Sequence, residues 1–459
     1  MKAMIRDERE MKDSGIEWME KIPSNWNVAK IRNVIVQGKD GIKIGPFGSA
    51  LTNKTSGDAE YKIYGQANLV SGDFSDTKNK ISKETFIELQ NYEVVPNDIC
   101  ISMMGTIGKC LTVPLGISKG IMDSHLIKIR LKATVDNRFF EYVYDKDKGG
   151  ICYTQMQYEK KGSIMDGLNT TIVKGLYLPL PNIEEQTNIA NYLDDRCSKI
   201  DAIIAEAKAS IEEYKELKQA VIYEAVTKGL DKNVEMKDSG IEWIGKIPQK
   251  WFITKIKNVI EPGKNGIKIG PFGSALTNKT SGDAEYKIYG QANLVAGDFS
   301  ETKNKITEET FIQLQNYEVN PGDICISMMG TIGKCMTVPS GIKKGIMDSH
   351  LIKIRLSSLM DNRFFEYVYD KDKGGICFIQ MQYEKKGSIM DGLNTTIVKG
   401  LYLPIPPIVE QQRIADYLDK CCSMFDEVIN EKIMLSKDLE SYKKSLIYEV
   451  VTGKRKVVE

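Results

Sequence analysis

The 459-residue sequence lacks the features that mark several large classes of protein. It contains no run of about 18 apolar residues, and its charged first 15 residues do not resemble a signal peptide. Its nine Cys form no CxxC pair, which argues against a disulfide framework or a zinc site and is typical of a reducing compartment. We therefore expect a cytoplasmic protein that binds no metal and no membrane.

Catalytic motifs are missing as well. There is no Walker P-loop, no HExxH and no motif pair of an adenine methyltransferase, and SMMGTIGK at Ser102–Lys109 departs from GxxxxGK[ST]. The two His, His125 and His350, lie in alternating apolar segments, where a structural role is the simpler interpretation. A net charge of +1 neither requires nor excludes nucleic-acid binding, because a basic patch can be local. We expect a chain that binds rather than catalyses and that holds no cofactor.

What the sequence does contain is one long repeat. MKDSGIEW begins at Met11 and again at Met236, and this offset of 225 residues continues through the second half. Residues 41–70 are identical to 266–295, 98–110 to 323–335, and 155–179 to 380–404. A repeat of this length is a whole domain rather than a solenoid unit. The two globular copies should therefore present nearly the same surface.

Each copy is followed by a long helical segment, 181–229 and 406–454. Apolar residues recur there at steps of three and four, the spacing of a coiled-coil seam, and about 45 residues would extend about 68 Å. Because the chain must double back, we expect the two helices to pair antiparallel. The predicted seams are Ile189, Leu193, Cys197, Ile200, Ile204, Ala207, Ile211, Tyr214, Leu217, Val221 and Ala225, and Ile414, Leu418, Cys422, Phe425, Ile429, Leu439, Tyr442, Leu446 and Val450.

The predicted fold class is α+β, with two globular α/β domains separated by two long antiparallel coiled-coil helices in a pseudo-two-fold arrangement. The expected division is 1–180 (first domain with an N-terminal strap), 181–230 (first long helix), 231–405 (second domain) and 406–459 (second long helix). The chain ends should lie close together. The four Trp fall in the entry segments Ser14–Trp26 and Ser239–Trp251, which we expect to dock on each domain. Strands are predicted at Tyr61–Tyr64, Asp98–Met103 and His125–Leu131, and a short helix or buried strand at Phe139–Tyr144.

Polar loop residues that occur in both copies are candidates for contact with DNA. Lysines suit phosphates, whereas amides and hydroxyls suit base edges, and Gln66 and Asn68 could each make the bidentate contact that adenine accepts. The candidates of the first copy are Lys43, Ser49, Lys54, Thr55, Gln66, Asn68, Lys109, Gln155, Gln157, Tyr158, Lys160 and Lys161. Their equivalents are Lys268, Ser274, Lys279, Thr280, Gln291, Asn293, Lys334, Gln380, Gln382, Tyr383, Lys385 and Lys386.

Several segments together resemble the DNA-specificity subunit of type I restriction-modification enzymes. They are SGIEWxxKIPxxW at each domain entry, YGQANLVSGDF with its copy YGQANLVAGDF, VVPNDICISMMGTIGK, and LPLPNIEEQTNIANYLD with LPIPPIVEQQRIADYLD. The resemblance covers nearly the whole chain and rests on their order rather than on any one of them. The chain departs from the typical family pattern in one respect, because its two recognition domains are near copies.

The resemblance implies that each globular domain is a target-recognition domain that reads half of a bipartite site on double-stranded DNA. It implies that the helices dock two methyltransferase subunits, with restriction subunits as an optional further partner. S-adenosylmethionine, ATP and Mg²⁺ would be used by those partner subunits and not by this chain. Since the two domains are near copies, we expect an interrupted palindrome. Two alternatives stay open from the residues: a duplicated adaptor that binds protein or glycan, and a nuclease with a degenerate site.

Overall fold

The computed structural model describes residues 1–47, 51, 55–56, 59–75, 77, 79–158, 167–271, 276, 284–300, 302, 304–384 and 392–458. The chain forms two compact units. Unit 1 comprises Met1–Lys208 and Met434–Glu459, and unit 2 comprises Ala209–Ile433. The boundaries fall inside the two long helices, while the ends predicted at 180 and 405 coincide with the last residues of two strands.

The strands and helices of unit 1 are short except for the helix that leaves the globular part. The strands are β1 Lys2–Ile5, β2 Met11–Asp13, β3 Lys21–Pro23, β4 Asn27–Lys30, β5 Ile42–Ile44, β6 Thr55–Ser56, β7 Tyr61–Tyr64, β8 Lys80–Ile81, β9 Ile99–Ser102, β10 Cys110–Thr112, β11 Gly120–Met122, β12 Leu126–Ile129 and β13 Tyr177–Leu180. The helices are α1 Ile31–Val34, α2 Gln66–Ser71, α3 Lys83–Glu88, α4 Asn137–Tyr144, α5 Ile151–Tyr158, α6 Thr170–Gly175 and α7 Ile183–Lys228, with 3₁₀ turns at Glu8–Glu10 and Gln90–Tyr92.

Unit 2 repeats this order. Its strands are β14 Met236–Asp238, β15 Lys246–Pro248, β16 Phe252–Lys255, β17 Ile267–Ile269, β18 Tyr286–Tyr289, β19 Lys305–Ile306, β20 Ile324–Ser327, β21 Cys335–Thr337, β22 Gly345–Met347, β23 Leu351–Ile354 and β24 Tyr402–Ile405. Its helices are α8 Gln291–Ala296, α9 Glu308–Gln313, α10 Asn362–Tyr369, α11 Ile376–Glu384, α12 Thr395–Gly400 and α13 Ile408–Val451, with 3₁₀ turns at Ile256–Asn258, Gln315–Tyr317 and Lys371–Lys373. The final strand, β25 Arg455–Val458, belongs to unit 1.

Two sheets form the centre of unit 1. One is antiparallel, in the order β10-β9-β12-β5, and the other has the order β11-β7-β8-β6, with β7 and β11 parallel. Side chains alternate between the two faces of β9. Ile99 and Ile101 therefore pack in the core beneath the helices, and Cys100 packs in the core between the two sheets. In unit 2 the corresponding sheets are β17-β23-β20-β21 and β19-β18-β22. The antiparallel sheet is thus buried on both faces, and its loops can emerge only at its two ends.

Most sequence predictions of local structure are confirmed. The strand predicted at Tyr61–Tyr64 is β7, and the aromatic segment that ends at Tyr144 is the helix α4. Asp136 caps α4 by accepting hydrogen bonds from two backbone N–H groups of its first turn. The entry segments dock as expected, since Trp26 and Trp251 are each 1% exposed. The predicted fold class, two α/β domains and two long helices, is confirmed.

The long helices pack antiparallel within each unit. In unit 1, Asp201 binds Lys443 with an Oδ2–Nζ distance of 2.6 Å, and Lys208 binds Glu440 at 3.4 Å, so residue numbers rise on α7 as they fall on α13. In unit 2, Lys218 binds Asp426 at 2.6 Å, and Tyr214 lies beneath the Nζ of Lys432 at 5.7 Å. The predicted pairing direction is therefore found inside each unit.

Two predicted seam residues are wrong. Leu217 and Tyr442, which occupy equivalent positions, are 51% and 50% exposed. The next residue on each helix, Lys218 or Lys443, turns inward, and these side chains are only 17% and 20% exposed. A lysine can take that position because its aliphatic stem packs while its ammonium group reaches a carboxylate on the facing helix. The spacing of apolar residues alone could not reveal that a lysine faces the partner helix at this position.

The chain ends meet, as expected. Strands β1 and β25 pair antiparallel, with Lys2 opposite Val458 and Ile5 opposite Arg455. Arg6, whose side chain is 6% exposed, donates from Nε to the carbonyl of Gly453 at 2.9 Å and pairs with Glu185 at 3.3 Å. Because Glu185 also accepts a hydrogen bond from Trp26 Nε1 at 2.9 Å, Arg6 joins the two chain ends to the core of unit 1.

We expect Arg6→Ala to lower the free energy of unfolding by about 1–3 kcal/mol, since it leaves the carbonyl of Gly453 without its side-chain donor and removes one of the donors of the partly buried Glu185. Urea denaturation of the full chain would measure this loss. The control is Arg9→Ala, which removes a side chain that is 89% exposed and should leave stability unchanged. Equal losses in the two variants would contradict the role of Arg6.

Candidate functional site

The antiparallel sheet of unit 1 carries different loops at its two ends. Ser102 lies opposite Leu126, and Ile44 lies opposite Ile127, so the turns that follow β5 and β9 and the turn that precedes β12 emerge together. Asp123 also lies at this end, because its backbone N–H donates to the carbonyl of Tyr64 at the end of β7. We define the loop cluster as Gly45–Phe47, Gly65–Gln66, Met103–Lys109 and Asp123–His125.

The loop cluster is identical in sequence in the two copies, whereas the opposite end of the sheet differs. Every residue of Gly45–Phe47, Gly65–Gln66, Met103–Lys109 and Asp123–His125 recurs 225 positions later. At the opposite end the paired residues are Val36 and Glu261, Asp40 and Asn265, Val95 and Asn320, Asn97 and Gly322, Leu115 and Ser340, and Lys132 and Ser357. The residues of the loop cluster itself are unchanged between the copies, so a function shared by both units is expected there.

The segment Met103–Lys109 is the centre of the loop cluster. The backbone N–H of Met103 donates to the carbonyl of His125, and the carbonyl of Met103 accepts from Leu168, both at 2.9 Å. The carbonyl of Gly108 accepts from the N–H of Lys146 at 2.9 Å. Three parts of the chain that are distant in sequence therefore hold this loop, which leaves Met104 at its tip 48% exposed.

Gln66, the first residue of α2, is fixed to the same loop. Its Nε2 donates to the carbonyl of Met104 at 2.9 Å and to Oγ1 of Thr106 at 2.8 Å. Thr106 Oγ1 also lies 2.8 Å from Oγ of the buried Ser102. Gly105 permits this approach, because its φ is +64° and a Cβ there would lie 3.0 Å from Nε2 of Gln66. In unit 2 the equivalent distances are 2.8 Å from Gln291 to Met329, 2.9 Å from Gln291 to Thr331, and 2.9 Å from Ser327 to Thr331.

Asp123 and His125 form the remaining wall of the loop cluster. The Oδ1 of Asp123 accepts from the backbone N–H of His125 at 2.8 Å, and its Oδ2 lies 3.4 Å from Nδ1 of that imidazole. Burial raises the pKa of Asp123, although hydrogen bonds from His125 and from the backbone of Gln66 act in the opposite direction. The His125 side chain is half exposed, and with Gln66 it lines an open cleft of about 740 Å³. His350 and Asp348 repeat this arrangement in unit 2, and burial likewise raises the pKa of Asp348.

Two of the predicted base-reading amides lie in the interior, which corrects that part of the prediction. Asn68 is 6% exposed, its Oδ1 accepts from the N–H of Gly65, and its Nδ2 donates to the carbonyl of Asp73. Gln155 is 1% exposed and accepts from the N–H of Tyr177. Both amides satisfy backbone groups of the fold, as do their equivalents Asn293 and Gln380.

Two of the predicted phosphate-binding lysines in each unit have partners in the chain. Lys43 donates to the carbonyl of Asn91 at 3.0 Å, on a strand within the sheet rather than in the loop cluster. Lys109, in the loop cluster, pairs with Asp147 at 3.0 Å, and its side chain is 23% exposed. Of these two, only Lys109 is brought next to Gln66 and its loop. Lys268 and Lys334 make the equivalent contacts, with Asn316 at 3.1 Å and Asp372 at 2.9 Å.

The other candidates lie on β6, on α5 and α11, or outside the described residues. Gln157 and Gln382 are exposed, and Tyr383 donates to Glu242 at 3.3 Å. Thr55 lies in β6 and Tyr158 ends α5, but the described structure does not extend to their side chains. Ser49, Lys54, Lys160, Lys161, Ser274, Lys279, Thr280, Lys385 and Lys386 fall outside the described residues.

Sequence reasoning missed the place of His125 and Asp123, since it assigned the histidine to an apolar strand. The signal available was the unbroken identity of MDSH in the two copies directly before the strand. Phe47, which is 81% exposed, was also missed. Among the described residues, no group of three or more His, Cys, Asp or Glu is placed to hold a metal ion, and no helix is long and apolar enough to cross a membrane.

Residues 24–213 and 248–434 match the family model described as the type I restriction modification DNA specificity domain. The specificity subunit of the type I restriction enzyme MjaVIII from Methanocaldococcus jannaschii is 25% identical over 383 residues, which cover 81% of this chain and 83% of that protein. The putative MjaX specificity subunit of the same organism is 23% identical over 450 residues, or 95% of each chain.

Solved structures share the fold. A chain from a study of complex assembly and conformational transition in a type I R-M system has a TM-score of 0.70 and 13% identity, covering 94% of this chain and 99% of that one. The HsdS subunit from Thermoanaerobacter tengcongensis has a TM-score of 0.54 and 13% identity, covering 94% and 98%. At such low identity these similarities concern the arrangement of the backbone alone.

Proposed function

This chain belongs to the type I restriction-modification DNA specificity family, and from that premise we propose that each loop cluster reads one half of a bipartite DNA site. The observation that carries the proposal is the identity of the loop cluster in both units beside the divergence of the opposite sheet end. The opposite end of the same sheet accepts Lys132 in one copy and Ser357 in the other. Recognition of the same half-site by both units would require the loop cluster to be identical in the two copies.

Each reading surface would combine positioning and base contacts. Lys109 supplies positive charge for phosphates, while Gln66 and His125 supply hydrogen-bonding groups for base edges. Phosphate contacts fix the orientation of the domain, and base contacts select the sequence. A loop anchored at three points loses little conformational entropy on binding, which favours tight readout.

We further infer that the two half-sites are inverted copies of one another. Identical readers select identical half-sites, and protein two-fold symmetry corresponds to a palindromic site. The recognised sequence would then be a palindrome interrupted by bases that the protein does not read.

The catalytic chemistry would belong to partner subunits that bind along the long helices. Ile203, Leu217, Met424 and Met434 are apolar helix residues that are 47%, 51%, 66% and 61% exposed and would be available to such partners. We propose two methyltransferase partners, with restriction subunits as an optional addition. Those subunits would use S-adenosylmethionine, ATP and Mg²⁺, and the complex would act on DNA in the cytoplasm.

Mapping of methylated adenines tests the proposal. In DNA from cells that express this chain with its methyltransferase, we expect one interrupted motif whose two halves are reverse complements. Cells that lack this chain are the control and should lose the motif. Two unlike half-motifs would contradict inversion, and an unchanged methylation pattern without the chain would contradict a role in specificity.

The adaptor alternative makes a different prediction about salt. DNA binding through phosphates weakens steeply as salt rises, whereas an adaptor for protein or glycan has no such requirement. Family membership does not favour that alternative. The hypothesis that this chain is a nuclease would need cleavage of DNA by the isolated chain in the presence of Mg²⁺.

A further inference from the structure

The donor atoms of Gln66 are already committed. Its Nε2 carries two protons, and these go to the carbonyl of Met104 at 2.9 Å and to Oγ1 of Thr106 at 2.8 Å. The carbonyl can only accept, so the nitrogen of the amide must face the loop. The amide therefore has no donor left for a ligand, and only its oxygen can make a further hydrogen bond.

The orientation of this amide is fixed by a network rather than by one contact. Thr106 Oγ1 also lies 2.8 Å from Oγ of Ser102, which is fully buried at the end of β9. Ser102 Oγ donates to the carbonyl of Met104 at 3.1 Å, the same carbonyl that Gln66 uses. Rotation of the amide by half a turn would place two oxygens against each other and would break two hydrogen bonds.

Base chemistry then limits what this residue can read. In the major groove, adenine and cytosine present an exocyclic amino donor, at N6 and N4. Guanine and thymine present acceptors there, at O6, N7 and O4. A bidentate amide contact to adenine needs a free donor, so the sequence-based interpretation of Gln66 as a bidentate reader does not fit this geometry.

We propose that Gln66, and equally Gln291, reads a base amino group through Oε1 alone, with Thr106 and Thr331 as the residues that hold the amide in that orientation. This inference rests on the proposed function. Each half-site should then contain one position that accepts adenine or cytosine and rejects guanine and thymine. The first copy and the second copy should do so at equivalent positions, because both networks have the same donors and acceptors.

Duplexes with single-atom changes test the contact. Once the recognised site is known, each adenine is replaced by purine, or each cytosine by pyrimidin-2-one, which removes only the amino group. We expect one replacement per half-site to weaken binding of the full chain about 5- to 10-fold, the loss of one hydrogen bond. With Gln66→Ala the same replacement in the matching half-site should have no further effect.

The threonine variants separate positioning from structure. Thr106→Val keeps the shape but removes the hydroxyl, so one Nε2 proton of Gln66 becomes free to donate to a base acceptor, and the preference for adenine or cytosine over guanine or thymine should fall. Thr106→Ser keeps the hydroxyl and should restore the preference. A preference unchanged in Thr106→Val would overturn the positioning role.

The possible failures are distinguishable. Suppose that the chain selects a site, but each base replacement weakens binding of Gln66→Ala as much as it weakens binding of the original chain. The contact between Gln66 and a base amino group is then refuted, while the proposed function stands. If the chain shows no sequence selection on any duplex, with or without its methyltransferase, the proposed function itself fails. Removal of a guanine or thymine acceptor could instead weaken binding of the original chain and leave binding of Gln66→Ala unchanged. The assignment of Oε1 as the only base-contacting atom of Gln66 would then be wrong.

Discussion

Replacement of Gln66 and Gln291 together by Ala should weaken binding of the full chain to its recognised DNA about 5- to 10-fold in each half-site, the loss of one hydrogen bond at each. The substitution removes a base contact and also releases the loop Met103–Lys109 from α2. Gln66→Ala alone should relax the sequence requirement of one half-site and leave the other intact. Competition binding against duplexes that carry changes in one half at a time would measure both effects.

Two control variants distinguish a base contact from a phosphate contact and from a change at the opposite end of the sheet. Lys109→Ala with Lys334→Ala removes phosphate contacts, so it should weaken all sequences alike and reduce the slope of log affinity against log salt by about two. Lys132→Ser copies the residue that the second unit already carries at the opposite sheet end, and it should change neither affinity nor specificity. If Lys132→Ser were as damaging as Gln66→Ala, the loop cluster would be the wrong surface.

Asp98→Ala should be the most destabilising single substitution among those considered, at about 3–5 kcal/mol. Asp98 is fully buried, and its carboxylate lies 2.8 Å from Nε of Arg130 and 3.4 Å from Nζ of Lys128. Lys128 is itself 4% exposed and donates to the carbonyl of Glu93. Without the carboxylate, a buried ammonium ion keeps its desolvation cost and loses its counter-charge. Chemical denaturation of the full chain would show a lower transition for unit 1.

The second copy provides a matched comparison. Asp323 is also fully buried, with Arg355 at 2.7 Å and Lys353 at 3.3 Å, so Asp323→Ala should destabilise unit 2 to a similar degree. Asp195→Ala removes an exposed carboxylate that pairs with Lys199 on α7 and should leave stability unchanged. A loss in Asp98→Ala no greater than that in Asp195→Ala would show that the buried charges find other compensation.

The candidate site could be predicted only in part from sequence. Gln66 and Lys109, which lie in the loop cluster, were predicted because amides and lysines have recognisable chemistry and both recur in the second copy. Asn68 has the same chemistry and the same recurrence, yet it is 6% exposed and serves the backbone of its own turn. Side-chain type does not reveal whether a polar group is already satisfied inside the fold. His125 was wrongly assigned to a strand for a related reason. The alternation of apolar and polar residues indicates which face of a sheet a side chain occupies, but it does not show at which residue the strand begins.

The amino-acid sequence alone established the duplication and the absence of known catalytic motifs and predicted the extent of the long helices, because periodicity and residue identity are local properties of the chain. Tertiary structure decided which loops meet. Register between strands brings residues 66, 103–109 and 123–125 to one end of a sheet, and that register depends on packing between segments far apart in sequence. It also turned Lys218 rather than Leu217 toward the facing helix and set the amide of Gln66 in one orientation, since both outcomes depend on partners that the local sequence does not contain.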